Sequence, residues 1–309
     1  MDPLTHTVIG LAVTKVTGNP ISMSDPATMC IIAGSIFPDI DILMQKWGDL
    51  IYLKNHRGIT HSIPGLLISS ALIAAVSCLV YRNSGFFNMF LWALLGCLSH
   101  AFFDFFNAYG AKILWPMLDK KYSLGMLITF DPVFIGLLVG YIYTGANVKN
   151  YFMAAFLVYF ASRAVARLMI LRELYRKYGN KYNRISLLPS MKGLFKWHFV
   201  LDGEKCYIIG EKDIIRNRIR IVKKLYKVQA AKSENVMCSA VGQFFREFTP
   251  LFHVASEKMD GITRYVFTDM RYYLKNNFLH HGVLELDENN LVIRQTFNAY
   301  SMNRSRMIS

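Results

Sequence analysis

The sequence predicts an α-helical integral membrane domain of about six membrane-embedded segments over residues 1–171. A small basic α+β domain is expected to follow over residues 172–309. Three observations predict this. The chain is 53% hydrophobic with a mean hydropathy of +0.26, and its apolar residues concentrate before residue 171. Charge divides at the same place: residues 1–171 hold 11 Lys and Arg against 8 Asp and no Glu, so +11 of the net +14 falls in residues 172–309. Beyond Arg172 long apolar runs give way to polar–apolar alternation.

Taken in order, Leu4 to Gly18 is a short apolar segment with Thr5, His6 and Thr7 at its start. Ala27 to Met44 is apolar until Pro38-Asp39-Ile40-Asp41, where Pro38 predicts a kinked or unwound end. Ile59–Tyr81 and Phe86–Phe106 are long enough to span, and the second carries His100 and Asp104 at i,i+4 on one face. Met126–Gly145 follows, with Asp131-Pro132 near its start, then Tyr151–Leu171 with Arg163 and Arg167. In the basic half, Phe195–Leu201, Lys205–Ile209, Arg218–Val222, Thr263–Phe267 and Leu291–Phe297 alternate as strands do. Ser233–Phe248 reads as an amphipathic helix with Ser233 as N-cap. The five cysteines are scattered without a CxxC, which excludes a thiolate zinc site and a disulfide frame. His198, His253, His280 and His281 lack ligand-like companions and read as surface or core residues.

Lys and Arg are richer in the loops 45–58 and 107–125 than in the loops 19–26, 82–85 and 146–150. By the positive-inside rule both termini are then cytoplasmic, in a multi-pass protein of the cell (inner) membrane. This topology gathers the unexpected polar residues His6, Asp39, Asp41, His56, His61, His100, Asp104 and Asp131 at the cytoplasmic face. Ionisable residues at membrane depth are costly unless partnered. Histidine plus carboxylate without thiolate suits a divalent metal, zinc first and manganese or iron(II) next, with more ligands than one tetrahedral shell needs. The expected metal ligands are His6, His56, His61, His100, Asp104, Asp39 and Asp131; Asp39, Asp41 and Asp104 are the expected catalytic carboxylates. Arg57 and Arg163 are placed to bind an anionic substrate. The chemistry this suggests is hydrolysis of an ester or phosphoester in a lipid or other amphiphilic substrate. Membrane lipids are the expected partners, and no nucleic-acid motif accompanies the basic half.

Met1-Asp2-Pro3-Leu4-Thr5-His6-Thr7, Phe37-Pro38-Asp39-Ile40-Asp41, His56-Arg57-Gly58-Ile59-Thr60-His61-Ser62, His100-Ala101-Phe102-Phe103-Asp104 and Phe130-Asp131-Pro132 form an ordered set. With it the first 171 residues resemble a family of bacterial inner-membrane proteins predicted to be metal-dependent hydrolases, some of them LexA-regulated. The tail is similar to a soluble extension some members carry, and no motif position departs from the pattern. The resemblance implies the fold and the site more strongly than the reaction. A metal-binding scaffold or transporter is the alternative, although a transporter places its ligands near the midplane. A regulatory anchor for the basic tail would make the His and Asp residues dispensable.

Overall fold

A computed structural model describes residues 1–228, 234–259, 261–274 and 276–299, and the backbone of 305–307. The chain divides into two compact units, Met1–Gly48 with Asn55–Ala166, and Asp49–Lys54 with Arg167–Ser309.

The first unit is helical, and one local device starts three of its helices. Asp2-Pro3 opens α1 (Pro3–Val16), Asp25-Pro26 opens α2 (Pro26–Ile36), and Asp131-Pro132 opens α6 (Pro132–Tyr143). In each the Asp carboxylate accepts a backbone N–H of the first turn, while Pro supplies a preset φ where no N–H is needed. α2 does not run on to Met44 as a regular helix: at Phe37-Pro38 it tightens into a 3-10 segment, Phe37–Trp47, because Pro38 cannot extend the α-helical bonding. A short helix α3 (Asp49–Asn55) and a 3-10 turn (Ile59–His61) lead to α4 (Ile63–Val80), capped by Ser62. α5 (Phe86–Phe106) has the expected bounds. α6 begins at Pro132, later than expected, because Asp131 caps it. α7 (Ala146–Tyr178) continues past Leu171 as one helix, since the Arg, Glu and Lys residues there are good helix formers.

Among the described residues, four helical stretches are long and apolar enough to cross a membrane: Pro26–Trp47, Ile63–Val80, Phe86–Phe106 and Ala146–Tyr178. The other two apolar helices, α1 with 14 residues and α6 with 12, rise only about 21 and 18 Å, short of a hydrocarbon core of about 30 Å. The expected six segments are present as helices; four have spanning length.

α2 and α5 cross at closest approach where Gly34 and Gly96 meet. A Cβ on Gly96 would lie 2.2 Å from the Ile31 carbonyl oxygen, and one on Gly34 would lie 2.2 Å from that of Ala93. Small residues at a crossing let membrane helices touch through their backbones. The site is built at one end of this crossing.

The second unit holds two antiparallel sheets. β1 (Arg184–Pro189), β2 (Lys196–Asp202), β3 (Cys206–Asp213) and β4 (Arg218–Tyr226) form a four-stranded meander. α8 (Glu234–Cys238) and α9 (Ala240–Phe248) lead into β5 (Phe252–Met259), β6 (Ile262–Asp269), the short pair β7 (Tyr273–Leu274) and β8 (Asn277–Phe278), then β9 (His281–Leu286), β10 (Val292–Asn298) and β11 (Ser305–Met307). Their sheet has the order β11-β10-β9-β6-β5. Phe244, Phe245 and Phe248 of α9 pack with Phe267, Leu284 and Phe297 of this sheet, where Gly282 leaves room for the Phe245 ring. The expected single helix is divided at Ser239, whose Oγ accepts the Gly242 N–H; the expected cap Ser233 lies outside the described residues. Leu53 of α3 is buried in the same cluster, with Leu50 packed against it, and Lys54 pairs with Glu247 at 3.4 Å. His198, His253 and His281 are buried, each with Nε2 at a backbone carbonyl, and burial lowers the pKa of each. They are core residues.

Candidate metal centre

His100 and Asp104 lie one turn apart on the inward face of α5, and both are fully buried. His100 is fixed by the α2–α5 crossing: its Nδ1–H donates to the Ser35 carbonyl at 2.8 Å. That bond selects the neutral tautomer with a bare lone pair on Nε2. His61, on the 3-10 turn before α4, has Nδ1 at 3.0 Å from Thr60 Oγ1 and turns its own Nε2 to the same point. Asp39 arrives from the 3-10 segment that Pro38 imposes after α2.

The four donor atoms define a small polyhedron. His61 Nε2 and His100 Nε2 are 3.0 Å apart. Asp39 Oδ1 is 3.5 Å from the first and 3.6 Å from the second; Asp104 Oδ2 is 3.4 and 3.6 Å from them. Ligands on an ion with bonds of about 2.05 Å at tetrahedral angles stand about 3.3 Å apart. The measured edges fit that spacing, and this buried His/Asp group could hold a metal ion. Two carboxylates and two imidazole lone pairs brought this close attract a cation. Burial opposes a charge on His61, yet Asp104 and Asp39 outweigh it and raise the His61 pKa above its ordinary value.

Asp104 has further partners. Arg57 Nε lies 2.9 Å from its Oδ2, while His6 Nε2 at 3.3 Å and the Met1 amino group lie against its Oδ1. The His6 ring stacks on His100 with centroids 3.6 Å apart. His6 therefore packs on the donors and bonds to Asp104 from outside the four-atom group. Arg57 is 1% exposed and takes a left-handed backbone conformation, φ 58°. Such strain persists only where surroundings enforce it. Here the backbone N–H donates to Asp41 Oδ2 at 2.8 Å while the side chain turns to Asp104.

A second group, Asp39, Asp41 and His56, adjoins the first and shares Asp39 with it. His56 Nδ1 is 3.0 Å from Asp41 Oδ1. Burial, opposed by Asp41, lowers the His56 pKa.

Two expected site residues are placed elsewhere. Asp131 takes the backbone N–H groups of Val133 and Phe134 on Oδ1 and the Tyr159 hydroxyl on Oδ2 at 2.7 Å; it serves the start of α6. Arg163 donates from Nη2 to the Met126 carbonyl at 3.0 Å. Residue type alone marks neither Ser35 nor the glycines of the crossing. Thr60 adjoins His61, and Gly96 precedes His100 by the spacing that separates His100 from Asp104, so one helix face carries crossing and donors alike.

The model of a family described as YdjM inner membrane protein matches residues 1–174. The chain belongs to this family. Residues 231–306 match a second model, the YfhP C-terminal alpha/beta plait domain, in agreement with α8, α9 and the second sheet. The chain is 28% identical over 326 residues to the uncharacterized protein YfhP of Bacillus subtilis (strain 168), covering 99% of this chain and 97% of that one. No solved structure matches it. The chain is thus a YdjM-family protein with apolar helices of spanning length and a buried His/Asp cluster that could hold a metal ion.

Proposed function

We propose that this YdjM-family protein is a membrane-bound, zinc-dependent hydrolase of an ester or phosphoester in a lipid or other anionic amphiphile. The spacing of His61, His100, Asp39 and Asp104 carries the reading: hard-ion octahedral shells with bonds near 2.05 Å bring neighbouring donors to about 2.9 Å, closer than any of the measured edges here. Mixed imidazole and carboxylate donors also suit manganese and iron(II). A divalent cation held there would polarise an ester or phosphoryl oxygen and acidify water. The chain's residues supply orientation and charge. Ser35 and Thr60 hold the two imidazoles with Nε2 inward, and Arg57 holds Asp104 while adding a buried positive charge beside the donors. The test is elemental analysis of the purified full-length protein, followed by a screen of lipid and phosphoester substrates with and without chelator. Chelator-sensitive hydrolysis is expected; metal-loaded protein that turns over no ester or phosphoester overturns the proposal.

The proposed orientation puts both termini and the donor set on the cytoplasmic side, as the Lys and Arg bias of the loops supports. Cysteines introduced at Ser24, Ser84 and Asn147 should then label from outside, and those at Gln45, Lys120 and Ser190 from inside. Labelling of positions 84 and 120 from the same side excludes this topology.

A specific observation favours a second reading, a structural metal. Four protein donors complete a tetrahedral shell, and closed shells are the mark of structural zinc.

A further inference from the structure

We infer that Asp39, Asp41 and His56 form a second metal seat joined to the first through Asp39, and that this second seat is the open one where substrate meets the ion. The inference rests on the hydrolase reading above and answers the difficulty just raised. The first group offers four donors, all buried, and so leaves a tetrahedral ion no free position. The second offers three, within 4.8 Å of one another, and a three-ligand shell leaves a place for water or substrate. Access differs in the same sense. His61, His100 and Asp104 are 0% exposed, whereas the His56 side chain is 16% exposed.

Asp39 is equipped to bridge. Its Oδ1 is buried and accepts no hydrogen bond, standing 3.5 and 3.6 Å from the His61 and His100 nitrogens, beyond hydrogen-bonding reach. Asp41 is preset from the other side, with Oδ2 fixed by the Arg57 N–H and Oδ1 beside His56 Nδ1. His61 Nδ1 lies 3.9 Å from Asp41 Oδ2, so the two seats are also adjacent through this imidazole. The strained turn at Arg57 links them: its N–H serves a donor of the second seat and its guanidinium a donor of the first. Carboxylate-linked ion pairs are a recurrent arrangement for holding both oxygens of a phosphoryl displacement, which makes phosphoesters the favoured substrate class.

The experiment is metal stoichiometry on full-length protein in detergent, saturated with Mn²⁺ or with Zn²⁺ and freed of excess. The wild type should hold two ions per chain, with an exchange-coupled electron paramagnetic resonance signal for the Mn²⁺ form. His56→Ala and His56→Gln should each hold one and lose the coupled signal. Chelator titration of the wild type, which needs no variant to fold, should release the ions in two phases. One ion per chain in the saturated wild type, or two retained in both His56 variants, overturns the second seat and leaves a single-metal hydrolase standing. No bound metal at all would overturn the hydrolase reading with it.

Discussion

Asp104→Asn should cost the protein both its metal and much of its stability, whereas His61→Ala should cost chiefly the metal. Asp104 does two things at once. Its Oδ2 is a corner of the four-donor group and also the partner of Arg57 Nε at 2.9 Å, and both residues are buried. An asparagine there removes an anionic donor and leaves a guanidinium buried without its counter-charge. Breaking one side of a buried pair costs about 3–5 kcal/mol. His61→Ala removes one imidazole donor and leaves the buried Arg57–Asp104 pair intact. In both variants metal affinity should fall by more than the roughly 10–100-fold that loss of an outer-sphere partner produces. Metal content and thermal unfolding of the two purified variants, measured side by side, check this. Wild-type metal affinity in either variant would remove that residue from the donor set.

Gly96→Ala should produce the next largest effect, although it touches no donor. The added Cβ would stand 2.2 Å from the Ile31 carbonyl oxygen and 3.0 Å from Gly34 Cα, both backbone atoms that cannot swing aside. α2 and α5 must therefore part at their crossing. His100 sits one turn further along α5, and its bond to the Ser35 carbonyl, the bond that fixes its tautomer, spans the same two helices. Metal affinity should drop by roughly 10–100-fold, the scale for a lost orienting partner, together with a lower unfolding temperature. Gly136→Ala in α6, where a Cβ would meet nothing within 4 Å, is the control and should leave the metal affinity unchanged while stabilising the helix by about 0.4–1 kcal/mol. Equal behaviour of the two variants would show that the crossing does not set the site.

Much of this was legible in the sequence, and what was not has physical causes. The i,i+4 pair on α5 is readable because a helix face is a local property, and the bounds Phe86–Phe106 follow from an unbroken apolar run. Pro38 announced that the chain would leave α-helical geometry before Asp39. Depth in the membrane alone groups Asp131 with the ligands. Yet it stands before a proline, as Asp2 and Asp25 do, and that shared local pattern marks a cap. Ser35, reached through its backbone carbonyl, leaves no trace in residue type, and the Gly34–Gly96 crossing requires knowing which helices meet. The strands β1, β5 and β9 leave no clear signal because burial along them does not alternate from residue to residue. β9 also pairs with β6 across intervening chain.

Leu53 gives the order of synthesis a bearing on the donor set. The segment 49–54 emerges early, but the core that encloses Leu53 is drawn from α8, α9 and the second sheet, as far along the chain as Phe297 and Ala299. Two residues after this segment the chain delivers His56 and then Arg57. A ribosome that has completed all the long apolar helices has therefore still not made the residues that will hold α3 in place. The stretch carrying one imidazole and the buried guanidinium thus follows directly on a segment whose core partners are made long after it.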